Sequence, residues 1–181
     1  FAVDLTSAKE GDRWVLANSK IGVALPAGEG KLLDGKPIGE IPAPILSVRG
    51  AGSGWVGKGW FTGDRKALGW KSELLATGPV LAWGRISYDF GNGALYILDV
   101  RVPAGQPVAL VREEGTCLAA GAFELAPASG LQPTHAFSKR GLGFESLKNE
   151  PGTASPAGAF LSPAQLHWLP AWCTVVGEWH S

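Results

Sequence analysis

The stretch Pro79–Glu114, PVLAWGRISYDFGNGALYILDVRVPAGQPVALVREE, decides the fold class. It reads as three consecutive antiparallel strands joined by Gly91-Asn92-Gly93 and by the Pro103–Gln106 turn. A three-residue loop with glycine for a left-handed position is a common hairpin connection. That loop sets Phe90 facing Ala94 and fixes the register behind it. Tyr88 then falls opposite Tyr96, Ile86 opposite Leu98, Gly84 opposite Val100 and Ala82 opposite Val102. All are apolar or aromatic, as one buried sheet face requires. On the other face Arg85 meets Asp99 and Trp83 meets Arg101, a salt bridge beside a cation–π pair on the outer surface. A two-residue turn would set Ile86 against Asp99 and mix the two faces, so the longer loop is preferred.

Working outward, the rest of the chain supplies short apolar runs between turn signals. Phe1–Leu5 reads as an edge strand, and Arg13–Asn18 with Ile21–Pro26 as a hairpin about Ser19-Lys20. Lys31–Ile38 reads as two short strands about the Asp34-Gly35 turn pair. Pro42 and Pro44 exclude a central strand, and Ile45–Arg49 resumes one. Gly50–Trp70 is dense in glycine and reads as a long irregular surface loop carrying Trp55, Trp60 and Trp70. Lys71–Thr77 leads into the three-strand unit. Cys117–Ala126, Gly143–Leu147 and Cys173–Trp179 read as further strands, and Ser162-Pro163 opens a short helix ending before Pro170. The count is ten to fourteen strands without βαβ alternation. The expected fold is all-β, an antiparallel β-sandwich with a long Gly/Trp-rich loop and at most one short helix, forming one domain over residues 1–181.

Composition narrows the function. Sixteen basic and sixteen acidic residues cancel, which leaves no electrostatic footprint for nucleic acid or an anionic membrane. No apolar run is long enough to span a bilayer. The chain begins at Phe1 and contains no methionine; it reads as a processed or trimmed product, secreted or periplasmic. Cys117 and Cys173 have no metal-ligand spacing. They read equally as a disulfide, worth roughly 4 kcal/mol in the chain-entropy picture, or as two buried thiols.

No catalytic constellation emerges. The carboxylates are scattered, and the adjacent Glu113-Glu114 pair must point to opposite faces of a strand. His135, His167 and His180 show no zinc spacing, and neither a nucleophile elbow nor a phosphate loop is present. No metal or cofactor is implied. The remaining signal is aromatic and neutral. Sugars offer apolar C–H faces and hydroxyl rims, which flat indoles flanked by Arg, Asp and Glu can match. Two candidate clusters follow: on the loop, Trp55, Trp60 and Trp70 are the expected stacking platforms, with Asp64 and Arg65 contacting hydroxyls; on the sheet, Trp83, Arg85, Asp99 and Arg101 form a further candidate. For both, indoles folded inward as packing are the competing expectation.

The run GWKSELLATGPVLAWGRISYDFGNGALYILDVRVPAGQPVALVREE, residues 69–114, resembles sheets of the sandwich domains in bacterial secreted polysaccharide-degrading enzymes. The likeness is one of strands and turns, so it carries over no catalytic residue. It implies an accessory or N-terminal module of such an enzyme. The sequence therefore points first to a polysaccharide- or oligosaccharide-binding module, free-standing or part of a larger parent enzyme. A small glycan-cleaving enzyme and a structural or assembly domain are the alternatives.

Overall fold

The computed structural model describes residues 4–115, 121–126, 131–140, 143–148 and 173–179. Fourteen strands form antiparallel sheets: β1 (Thr6–Glu10), β2 (Arg13–Ala17), β3 (Ile21–Pro26), β4 (Glu29–Pro37), β5 (Ser47–Gly50), β6 (Lys58–Gly63), β7 (Lys66–Thr77), β8 (Leu81–Asp89), β9 (Leu95–Pro103), β10 (Leu110–Gly115), β11 (Gly121–Ala126), β12 (Leu131–Arg140), β13 (Gly143–Lys148) and β14 (Cys173–Trp179). The helical content among the described residues is a single 3-10 turn, Ile38–Glu40. No helix among them is long and apolar enough to cross a membrane. The fold is all-β. The chain divides into two compact units, Phe1–Ala128 and Ser129–Ser181. In the second, β12 is the centre of a three-stranded sheet flanked by β13 and β14, with an irregularity between Pro133 and His135.

In the first unit, β1-β2-β3-β5 form one sheet and β10-β9-β8-β7-β4 another. The β8–β9 register is the one the alternation demands. Phe90 N–H donates to the Ala94 carbonyl at 2.9 Å, and the Tyr88–Tyr96, Ile86–Leu98, Gly84–Val100, Arg85–Asp99 and Trp83–Arg101 pairs all stand opposite each other. Gly91, Asn92 and Gly93 all have positive φ, which explains the glycines at the loop's two ends. The inner face of this sheet shares one core with Leu16, Val23 and Leu25 of the first sheet. At Gly84 the approach leaves no room for a side chain, since a Cβ there would lie 2.5 Å from Leu25 Cδ1. Burying each such aliphatic side chain contributes about 2 kcal/mol, so the alternation along β8 and β9 suffices to set which face turns inward.

Two side-chain staples join distant segments. Asn18, at the β2–β3 turn, is 6% exposed. Its Nδ2 donates to the carbonyls of Pro103 and Gln106, both at 2.8 Å, and its Oδ1 accepts from the N–H groups of Lys20 and Ile21. Ser72 on β7 donates its hydroxyl proton to the Pro26 carbonyl and accepts from Gly28 N–H, fixing the passage from β3 into β4. Each satisfies polar groups that burial would otherwise strand.

Several sequence expectations are corrected. Of the expected edge strand Phe1–Leu5, residues 1–3 lie outside the described residues; Asp4 and Leu5 precede the first strand described, β1, which begins at Thr6. Asp34-Gly35 is not a hairpin turn. Lys31 pairs with Gly69 and Lys36 with Ala67, so the residues between them bulge out of a single strand, with Gly35 at φ 66°. The Gly/Trp-rich segment is not one long loop; only residues 51–57 and 64–65 lie between strands there. β6 finds a partner in β11, and Gly59 N–H bonds to the Leu46 carbonyl. A Cβ on Gly59 would lie 1.9 Å from the Ile45 carbonyl oxygen, so this glycine serves close strand approach rather than flexibility. Leu131–Arg140 is also a strand, which the sequence reading did not include. The expected helix at Pro163–Leu169 lies outside the described residues.

Candidate functional site

The loop cluster proposed from sequence is dispersed. Trp70 stands on β7 opposite Tyr88 and packs against the core; a Cβ on Gly30 would fall 2.6 Å from its Nε1. Trp60 stands on β6 opposite Glu124 of β11, while its neighbour Phe61 turns the other way into edge-to-face contact with Tyr88 at 5.0 Å. Asp64 is exposed in the β6–β7 connection. The Arg65 guanidinium lies 4.9 Å from the Phe90 ring. Trp55 lies over the first sheet between two cations, with Arg13 at 4.9 Å and Arg49 at 5.2 Å from its ring. Beneath it is Gly22, where a Cβ would meet Arg49 and Trp55 at 2.7 and 3.1 Å. Val15, Ala17 and Ala24 share that face by register and are buried.

The sheet cluster is assembled. Arg85 donates from Nε to Asp99 Oδ1 at 2.7 Å and from Nη2 to Oδ2 at 2.9 Å, a fork that takes both carboxylate oxygens. Arg101 lies 4.1 Å from the Trp83 ring centroid and Arg85 5.9 Å from it. The sequence placed the Arg85–Asp99 pair on the outer surface. In the structure Asp99 is buried, 2% exposed, within the row between Trp83–Arg101 and Ser87–Ile97, while Arg85 stays one-third exposed. The Arg85 fork holds the Asp99 carboxyl below its usual range against the opposing effect of burial. The Trp83 indole dipole and the Arg101 charge push the same way as Arg85. The partner effect raises Arg85. Asp99 is thus held in its ionised form at neutral pH. The Trp83 indole N–H lies toward it without reaching hydrogen-bond geometry, and Trp83 Nε1 and Arg101 Nε are both shielded from solvent with no acceptor.

Neighbouring strands extend the cluster into a ladder that the sequence reading missed. Glu73 of β7 stands opposite Arg85, and Arg112 of β10 opposite Asp99, so charges alternate in sign across four strands. Lys71 bonds Glu73 at 2.9 Å, and Arg112 pairs with Glu114. Closing the hairpin at the Pro103–Gln106 turn would have set Arg112 against Ile97, whereas the longer connection before Leu110 sets it against Asp99. The β7 register was hidden by the bulge between Leu74 and Ala76.

Other acidic groups do not converge. Glu113 and Glu114 stand opposite Leu98 and Ile97, hence on opposite faces, and Glu113 accepts a 2.6 Å bond from the Tyr96 hydroxyl. Among the described residues no three His, Cys, Asp or Glu side chains gather in a metal-binding group. Cys117 and the Cys173 side chain lie outside the described residues, and no disulfide is seen among those described. Comparison with protein-family models, curated proteins and solved structures returned no match.

Proposed function

We propose that the protein is a secreted or periplasmic β-sandwich module that binds a polysaccharide or oligosaccharide on the outer face of β8 and β9, free-standing or within a larger enzyme. The observation that carries this reading is the fixed indole of Trp83. Arg101 is stacked on its ring, and the bidentate Arg85–Asp99 pair stands in the next row of the same face. Such an arrangement offers a partly exposed apolar ring edge beside rigid polar groups, so ligand binding orders few side chains. Asp99 is unsuited to act as a general acid, which needs a raised pKa, because it is driven the other way and both its oxygens are held by Arg85. The assembly-domain reading draws its support from Trp55 and Trp70, whose rings are engaged in packing.

The test is tryptophan fluorescence against a panel of soluble polysaccharides, with reducing-end release measured in the same samples. The expected result is a saturable spectral change without product, lost in Trp83→Ala and kept in Trp70→Phe. Product release would favour cleavage, and silence in both channels would favour the assembly role.

A further inference from the structure

Among the described residues, three cations on the outer face of β7 to β10 have an acid partner on that face. Lys71 has Glu73, Arg85 has Asp99 and Arg112 has Glu114. Arg101 has none. Among the described residues its side chain makes no ion pair and no hydrogen bond, and its Nε is buried without an acceptor. Asp99, the nearest acid along its own strand, has both oxygens committed to Arg85. Its cross-strand neighbours are Trp83 on β8 and Leu110 on β10, an indole and a half-exposed aliphatic chain. A guanidinium held beside an indole, near the Asp99 charge but with no hydrogen-bonded acid of its own, has its donor fork open to an anion. Its donor fork matches the paired oxygens of a carboxylate or sulfate group. The indole beside it matches the C–H face of a sugar ring.

We infer that the Trp83–Arg101 pair selects an acidic saccharide, its anionic substituent bound by Arg101 and its ring resting along Trp83. This rests on the saccharide-binding reading and adds the charge of the ligand to it. A charge-assisted hydrogen bond in such a setting contributes roughly 1.5–3 kcal/mol, or about tenfold to a hundredfold in affinity.

The test is calorimetric titration of the whole chain with two matched pairs: oligogalacturonate against its methyl ester, and a sulfated oligosaccharide against its desulfated form. The expected result is that at least one acidic ligand binds about tenfold or more tightly than its neutral partner, more weakly as salt rises. Which pair responds tells carboxylate from sulfate. Arg101→Gln should bring the acidic ligand down to the level of the neutral one, and Arg101→Lys should recover part of the loss. Trp83→Ala should abolish binding of both members of the pair, and Arg13→Gln on the other sheet should leave both unchanged. Equal binding of acidic and neutral ligands, or an acidic preference that survives Arg101→Gln, overturns the inference and leaves saccharide binding standing. Failure of all four ligands, together with silence across the neutral panel, overturns both.

Discussion

Each of the two larger sheets of the first unit carries one tryptophan flanked by two arginines on its outer face, and the two sites are built differently. Trp55 arrives from the connection after β5 and lies over Gly22, between Arg13 of β2 and Arg49 of β5. Arg13 is itself bound to Glu10 at 3.1 Å. Trp83 belongs to its strand, and Arg101 is its direct cross-strand partner. The first indole lies over a face whose Val15, Ala17 and Ala24 are buried. The second stands beside a buried ion pair and leaves one guanidinium without a counter-ion. The same two residue types therefore lie over a buried apolar face on one sheet and beside an ion-pair ladder on the other. What separates them is the floor, glycine and small aliphatics in one case and a charge ladder in the other.

That contrast makes ordered forecasts. The largest effect belongs to Asp99→Asn, which strands a one-third-exposed Arg85 and should cost about 2–3 kcal/mol in urea unfolding. Because Asp99 has a lowered pKa in the folded state, its contribution is fully present above the unfolded carboxylate's pKa. It is lost as pH falls through the folded value. The gap between wild type and Asp99→Asn should therefore close in acid. Next, Trp55→Ala should cost about 2 kcal/mol, less than a fully buried tryptophan because the ring is half-exposed, and leave ligand binding intact. Trp83→Ala should cost about 1 kcal/mol and abolish binding, the reverse pattern. If Trp55→Ala removed binding as well, the two sites would have to be merged. The smallest effect is expected for Glu73→Gln. Its partner Lys71 is open to solvent, so the thermal midpoint should hold and respond little to salt.

The central hairpin was legible because its information is local. Two aromatic-rich alternating runs flank a glycine-bounded loop, and a one-residue slip would turn Tyr88 and Tyr96 outward. The charge pairs of β8 and β9 followed from that register, and so did the one candidate cluster that the structure brings together. The Gly/Trp-rich segment failed for the opposite reason. Gly59 is required by the Ile45 carbonyl and Trp60 is placed by pairing with β11, more than sixty residues away. Glycine density looks the same whether it serves looseness or close approach. Asp34-Gly35 misled in the same way: the dipeptide specifies a reversal of φ, and only the partner strand decides whether that makes a hairpin or a bulge. The Arg13–Trp55–Arg49 stack had no local signal, since its three members come from separate elements.

Asn18 has a consequence for the order of events in folding. Its two carbonyl acceptors are 85 and 88 residues further along the chain. The β2–β3 turn can form early on its own N–H bonds to Asn18 Oδ1, yet the amide's two donors stay unsatisfied until β9 and its following turn arrive. Closing so long a loop comes late in a search dominated by local contacts. Asn18 thus acts as a latch on the finished unit rather than a nucleus, and its loss should speed unfolding while leaving the refolding rate nearly unchanged.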